Sequence, residues 1–140
     1  MKQENLTFPS TADSLHIVEN LIDNVCAKMH LDEDYYGNIL IAVTEAVNNA
    51  INHGNKQDAS KTVTLVFTEN DDHSIKFRIT DQGPGFDFEN IPDPTSPENI
   101  EKVNGRGVFL MKQLSDEVAF EDEGRVVELS FKLAQHTQPA

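Results

Sequence analysis

Residues 44–54, which read TEAVNNAINHG, constrain the fold more than any other part of this sequence. At about 100° per residue they extend a helix whose apolar side chains share one broad face. That face carries Tyr36, Ile39, Leu40, Val43, Val47, Ala50 and Ile51, and the opposite face carries Glu45, Asn48, Asn49 and Asn52. Asparagine costs up to about 0.7 kcal/mol against alanine in a helix. The pattern therefore favours a helix that uses its amides, and the competing interpretation is a polar helix end that frays towards Gly54.

The composition excludes several classes of function. A length of 140 residues suits one domain, 1–140, with its own core. The sequence has no apolar run that could span a bilayer and no signal-peptide pattern at residues 1–10. A single cysteine, Cys26, cannot form an intramolecular disulfide, so the cytoplasm is the expected compartment. The net charge of −13 argues against direct binding to nucleic acid or an anionic membrane, and it favours a basic protein partner.

The rest of the chain shows a regular order of periodic segments. Helices are predicted from 12 to about 30, from 33 to 54 with Asp32 as the N-cap, and from 105 onward. Strands are predicted at 4–8, at a sheet edge because Pro9 follows, and at 62–68, 74–80, 117–121 and 126–133. Residues 55–60 read as a polar loop, and the aperiodic, proline-containing stretch 82–104 reads as a lid or binding loop with a short helix near 97–102. This order predicts an α/β two-layer sandwich, a mostly antiparallel sheet with its helices on one face.

Two glycine-containing segments lie where ligand sites commonly form. The first, DQGPG at 81–85, follows a strand directly. A carboxylate at Asp81 could accept a hydrogen bond from a purine amine, worth about 1.5–3 kcal/mol for a charged acceptor. The second, NGRGV at 104–108, opens a helix whose free N–H groups suit phosphate, and Arg106 adds a fork of donors. Either segment alone is also consistent with an ordinary turn, but their order after the asparagine-rich helix indicates a nucleotide site.

At these residues the sequence resembles the ATP-binding domain of gyrase, histidine kinases and DNA mismatch-repair ATPases, the GHKL or Bergerat fold. Within that group it is most similar to small bacterial anti-sigma-factor serine/threonine kinases of the partner-switching type. The likeness rests on EAVNNAINHG, DQGPGFD, NGRGVFLM and an initial LTFPS, and it extends from residue 6 to about 133. It implies ATP and Mg²⁺ as cofactors and an ATP lid at about 82–104. It also implies phosphorylation of a serine on a small anti-anti-sigma (STAS-type) protein, together with regulation of a sigma factor.

The resemblance also assigns roles to single residues. Asn49 would coordinate Mg²⁺, Asp81 would bind the adenine amine, and Glu45 would be the general base. The residues themselves agree with the last role, since positions i and i+4 share one helix face and a base beside the γ-phosphate is what transfer to a serine requires. The other implied nucleotide contacts are Asn52, His53, Gly83, Gly85, Gly105, Arg106, Gly107 and Val108.

The sequence departs from the family pattern in the last hairpin, where Arg125 follows Gly124 in place of a frequent threonine near the base. This difference predicts a rebuilt adenine subsite or a changed nucleotide affinity. A histidine kinase is disfavoured, because no phosphoacceptor pattern surrounds His16 and the length leaves no room for a dimerising helical hairpin.

Other functions stay open beside the kinase. One is an ATP-binding module that sequesters a protein partner without kinase activity. Another is an ATPase domain serving a two-component or phosphatase pathway. Formation of a homodimer is left open as well.

Overall fold

Five antiparallel strands form one sheet in the computed structural model, which describes residues 2–70, 72–83 and 103–133. Their order across the sheet is β1-β2-β3-β5-β4. The strands are β1 (Lys2–Pro9), β2 (Thr62–Glu69), β3 (Ser74–Thr80), β4 (Glu117–Glu121) and β5 (Val126–Lys132). β1 lies at the sheet edge as predicted, and it is longer than expected because it pairs with β2 along its whole length.

Three helices accompany the sheet within the described residues: α1 (Leu15–Lys28), α2 (Glu33–Asn49) and α3 (Val103–Leu114). Asp32 caps α2 as the sequence predicted, since its Oδ1 accepts the backbone N–H groups of Asp34 and Tyr35, each at 3.1 Å. The last predicted turn of this helix, Ala50–Gly54, is a π turn rather than α. There the N–H of Asn55 donates to the carbonyl of Ala50 at 2.8 Å. No helix of the described chain is long and apolar enough to cross a membrane.

The third helix begins at Val103, two residues before the predicted start at Gly105. Glycine has a low helix propensity, so the sequence predicted that the helix would begin at the glycines and would not extend before them. Packing of α3 against α2 overrides that preference, and Gly105 and Gly107 lie inside the first turns of the helix.

Alternation along the strands separates a buried face from a polar face. The buried face joins the helices in one core that includes Val63, Leu65, Phe67, Ile75, Phe77, Ile79, Leu129 and Phe131 from the sheet, and Val18, Ile22, Ile39 and Val43 from α1 and α2. On the opposite face, Arg78 donates to Glu128 Oε2 at 2.8 Å and to Glu121 Oε1 at 3.2 Å. The predicted two-layer sandwich with its helices on one face is therefore confirmed. The short helix expected near 97–102 and most of the expected lid lie outside the described residues.

Candidate functional site

A cleft with about 420 Å³ of empty space opens between α2, the π turn and the sheet. The polar lining groups belong to Asn49, His53, Asp81 and Arg125, and the remaining lining residues are Ala46, Ala50, Gly54, Ile79, Met111, Phe120, Gly124 and Val127. A mainly apolar cleft with a few polar groups is typical of a site for a flat organic ligand.

Asp81 is the buried carboxylate of this cleft, with 9% of its surface exposed. Its Oδ1 accepts the N–H of Gly83 at 2.8 Å, and its own N–H donates to the carbonyl of Arg125 at 3.0 Å. Within the described residues Oδ2 has no hydrogen-bond partner, so a ligand donor can bind it. Burial raises the pKa of Asp81, while the Gly83 N–H and the Arg125 charge act in the opposite direction.

The glycines at this end permit a close approach of two chain segments. A Cβ at Gly83 would overlap the carbonyl of Gly54, and a Cβ at Gly54 would overlap the carboxylate of Asp81. The π turn and segment 81–83 are therefore in backbone contact, which only glycine at both positions allows. Gly83 was predicted to contact the nucleotide, and the structure places it beside the carboxylate of Asp81.

Asn55 holds these segments together, although the sequence predicted only a polar loop at 55–60. It is 1% exposed. Its Nδ2 donates to Ser10 Oγ at 2.7 Å and to the carbonyl of Thr62 at 3.0 Å, and its Oδ1 accepts the N–H of Gln82 at 2.7 Å. A fully hydrogen-bonded buried amide of this kind fixes the position of the neighbouring Asp81. No local pattern distinguishes it, since two of its three partners, Gln82 and Ser10, lie 27 and 45 positions away in the sequence.

Asn49, the predicted metal ligand, lines the cleft from the last turn of α2. Gly107 of α3 lies directly against it, because a Cβ there would be 2.9 Å from Asn49 Nδ2 and 3.2 Å from Oδ1. The structure thus brings together two predicted segments that are far apart in the sequence. Val108 is 2% exposed and belongs to the core, and Arg106 is exposed.

Three other predicted residues lie on α2 or its π turn. Glu45 is half-buried one turn before Asn49; within the described chain it neither lines the cleft nor forms a hydrogen bond or ion pair. Asn52 accepts a hydrogen bond from Gln57 Nε2 at 2.9 Å. His53 lines the cleft, and burial lowers its pKa, so the neutral imidazole is favoured. Its buried Nε2 has no partner among the described residues, which leaves it available to a ligand.

A metal at this site would depend on few protein ligands. No cluster of three or more His, Cys, Asp or Glu side chains is found in the described ranges. Mg²⁺ in nucleotide sites usually takes one or two protein oxygens together with phosphate oxygens and water. The amide oxygen of Asn49 fits that requirement. Gly85 lies outside the described residues, and Gly105 lies in the first turns of α3.

Comparison with known proteins agrees with this geometry. The chain matches the histidine kinase-like ATPase domain family over residues 8–131. It is 28% identical over 137 residues to a serine-protein kinase RsbW of Oceanobacillus iheyensis, which covers 93% of this chain and 86% of that protein. It is 30% identical over 127 residues to a serine-protein kinase RsbW of Staphylococcus aureus, which covers 86% and 80% respectively.

Two solved structures share the fold. One contains the RsbU and RsbW domains of a Mycobacterium tuberculosis protein, with a TM-score of 0.69 and 16% identity over 95% of this chain and 33% of that one. The other is a histidine kinase domain from Erythrobacter litoralis, with a TM-score of 0.55 and 17% identity over 91% and 62%. This chain thus spans about a third of the first of these proteins. At such identities the likeness concerns the fold alone.

Proposed function

Because this chain belongs to the histidine kinase-like ATPase domain family, we propose that it is an anti-sigma-factor-type serine/threonine protein kinase. It binds ATP with Mg²⁺ and phosphorylates a serine on a small anti-anti-sigma (STAS-type) protein while regulating a sigma factor. Residues 1–140 act as one ATP-binding domain in the cytoplasm, with a lid at about 82–104 that includes Gly85. The observation that carries the proposal is that the amide of Asn49 and the buried carboxylate of Asp81 line the same cleft.

The base of the nucleotide is assigned to the Asp81 end of the cleft. Oδ2 of Asp81, which has no hydrogen-bond partner among the described residues, accepts the exocyclic amine of adenine as a charged acceptor in a largely apolar cleft. The contact between Gly54 and Gly83 keeps the carboxylate at the cleft wall. An adenine ring then lies against apolar side chains such as Ile79 and Met111.

The phosphates are assigned to the other side of Asn49, where α3 begins. Its first turn, which contains Gly105 and Arg106, offers free N–H groups and a cation to phosphate oxygens. Asn49 would hold Mg²⁺, which would neutralise charge on the phosphates. Asn52, His53, Gly107 and Val108 complete this region. Nε2 of His53, which has no partner within the described ranges, is a further group for the ligand.

Phosphate transfer requires a group that removes the proton of the serine hydroxyl. Glu45 lies one turn before Asn49, so the two side chains share a helix face at about 5–6 Å between Cβ atoms. Glu45 accepts the hydroxyl proton while the serine oxygen attacks the γ-phosphorus. The bond from the γ-phosphorus to the bridging oxygen breaks, and ADP leaves with the electron pair.

A binding module without kinase activity is the second candidate. One observation favours it: within the described chain Glu45 does not line the cleft that holds Asn49 and Asp81. Such a module would use nucleotide only as a structural ligand while it sequesters a protein partner. The net charge of −13 suits either function, because a sigma factor that presents a basic surface would be attracted by both.

Glu45→Gln and Asn49→Ala separate the two candidates. Glu45→Gln keeps the shape of the helix and removes the proton acceptor, so we expect transfer to fall by about 10²–10⁴ with nucleotide affinity within a few-fold. Asn49→Ala should reduce both Mg²⁺-dependent binding and transfer. Single-turnover transfer from ATP to STAS-type proteins encoded near this gene, beside calorimetric titration with ATP and Mg²⁺, measures both quantities.

The matched control is Glu19→Gln, which makes the same change on the exposed surface of α1 and should transfer at the wild-type rate. Transfer by Glu45→Gln at that rate would show that the base lies elsewhere. If the wild type binds ATP and a sigma factor but phosphorylates none of the tested proteins, the binding module is the better description. If the wild type shows neither heat of binding nor a thermal shift with ATP, both candidate functions are refuted.

A further inference from the structure

Arg125 occupies the junction of two loops at the Asp81 end of the cleft. It directly follows the turn between β4 and β5, in which Asp122, Glu123 and Gly124 have φ values of 52°, 57° and 87°. Three successive residues in the left-handed region make a tight connection, and Arg125 is the first residue after it to return to negative φ, at −72°. Its side chain is 29% exposed, and it lines the cleft.

The guanidinium of Arg125 bridges the hairpin and the segment after β3. Nε donates to the carbonyl of Gly83 at 2.7 Å. NH1 donates to the carbonyl of Asp122 at 3.2 Å and lies 3.3 Å from Glu123 Oε2. The backbone of the same residue accepts the N–H of Asp81 at 3.0 Å. One arginine therefore holds segment 81–83 by both its backbone and its side chain, with the rigid fork that lysine lacks.

We propose that Arg125 is a positioning residue that sets the preference of the cleft for a purine with an exocyclic amine, by fixing the segment that carries Asp81. The inference rests on the proposed nucleotide site and adds to it a determinant peculiar to this chain. When segment 81–83 is fixed, Oδ2 of Asp81 can accept a hydrogen bond only from a donor placed in one direction. A purine with a carbonyl in place of the amine would set its carbonyl oxygen against the carboxylate of Asp81. Both groups are acceptors, so no hydrogen bond forms between them.

The charges around Asp81 make this role measurable. The groups that act on its carboxylate are Arg125, Asp122 and Lys61, and His53 lines the same cleft. Arg125 is the cation with the largest effect on Asp81, and its charge opposes the effect of burial on the pKa of that carboxyl. Removal of the guanidinium should thus raise that pKa further. A carboxyl that is protonated more often can donate to the carbonyl of hypoxanthine, so discrimination between the two purines should fall.

The test compares Arg125→Met and Arg125→Lys with Arg78→Met. Arg78 also binds two carboxylates, those of Glu121 and Glu128, but it lies on the sheet face opposite the helices. Calorimetry with ADP and with IDP in Mg²⁺ measures affinity, and a ¹³C-carboxyl NMR titration, assigned with Asp81→Asn, follows Asp81 and needs no nucleotide. Thermal melts establish that each variant is folded.

We expect Arg125→Met to weaken ADP binding roughly tenfold or more, as loss of hydrogen bonds to a charged group predicts, and to shrink the ADP-to-IDP preference. Its Asp81 should titrate at higher pH than in the wild type. Arg125→Lys should restore the titration of Asp81 but only part of the ADP affinity, because it keeps the charge without the fork. Arg78→Met should stay within about threefold of wild type, as an exposed ion pair contributes little.

Each outcome has a separate meaning. If the wild type prefers ADP and Arg125→Met matches Arg78→Met in affinity, preference and Asp81 titration, the role of Arg125 is refuted while the nucleotide site stands. A wild type that binds neither nucleotide refutes the proposed function, and with it this inference. Should Arg125→Lys behave like Arg125→Met in the Asp81 titration, the charge of Arg125 is not what acts on the carboxylate, and the inference also fails.

Discussion

At the scale of single residues, Asp81 is subject to opposite demands from folding and from binding. Burial raises its pKa, so the folded protein holds the proton more tightly than the unfolded chain does. Its contribution to stability is therefore greatest below the unfolded pKa and falls as pH rises through the raised folded pKa. At neutral pH the carboxylate is retained at a cost to stability, which is common for groups that serve a site.

Asp81→Asn should consequently raise the melting temperature at pH 7 while it weakens adenine-nucleotide binding. The amide oxygen can still accept the Gly83 N–H, and the cost of a buried charge is removed. Loss of the charged acceptor should reduce ATP affinity by roughly tenfold or more. Melting curves at several pH values and calorimetry with ATP and Mg²⁺ measure both effects, and the gain in melting temperature should vanish below the pKa of Asp81.

Asp58→Asn is the matched control for this change. Asp58 is exposed, and hydrogen bonds from Ser60 lower its pKa, so its charge favours the folded state. The same substitution there should not raise the melting temperature. A lower melting temperature for Asp81→Asn, or unchanged ATP affinity, would contradict the account of Asp81.

At the scale of secondary-structure elements, the site depends on how the end of α2 is joined to the strand ends. The join is made by Asn55, which binds Ser10 after β1, Thr62 at the start of β2 and Gln82 after β3. Three elements that are distant in the sequence therefore meet at one buried amide. The π turn before it delivers Asn55 to this position, since its N–H closes the turn on Ala50.

Asn55→Ala should lower the free energy of unfolding by about 2–4 kcal/mol, because it leaves several buried polar groups unsatisfied at about 1–3 kcal/mol each. Release of segment 81–83 should also weaken nucleotide binding. Urea denaturation measures the first effect and calorimetry the second. Asn24→Ala, at an exposed position of α1, should change stability by no more than about 0.5 kcal/mol. Equal stability of the two variants would refute the structural role of Asn55.

At the scale of the whole molecule, the net charge of −13 determines how partners approach rather than how the chain folds. Exposed charges act over about 8–10 Å at moderate salt, and added salt screens them. A basic partner is therefore attracted before contact, whereas contacts formed after docking are much less sensitive to salt.

Association with the serine protein or sigma factor identified by the transfer assay should slow as salt increases. Between 0.05 and 0.5 M NaCl we expect the association rate constant to fall by about tenfold or more, with the dissociation rate constant changed far less. Stopped-flow fluorescence at constant pH measures both constants, and the dissociation rate serves as the internal control. An association rate that is independent of salt would show that the acidic surface does not guide the partner.

Local sequence patterns account for the order of elements and for the two faces of α2. Both depend on local periodicity, which a single chain segment displays without its neighbours. The strands at 62–69, 74–80 and 117–121 were predicted to within one residue of their observed bounds. The family resemblance also assigned Asp81 and Asn49 to one nucleotide site, and both line the cleft.

Tertiary structure alone decided which side chains build the walls of that cleft. The strand order β1-β2-β3-β5-β4 brings Arg125 beside Gly83, and the π turn brings Asn55 beside Gln82. Neither residue has a local pattern, because the contacts that join it to a distant segment span 27 and 45 positions for Asn55, to Gln82 and Ser10, and 42 positions for Arg125, to Gly83. The earlier start of α3 has the same origin, since contact with α2 outweighs the helix propensity of two glycines. Periodicity predicts which face of an element is buried, but only tertiary packing determines which residues of other elements that face contacts.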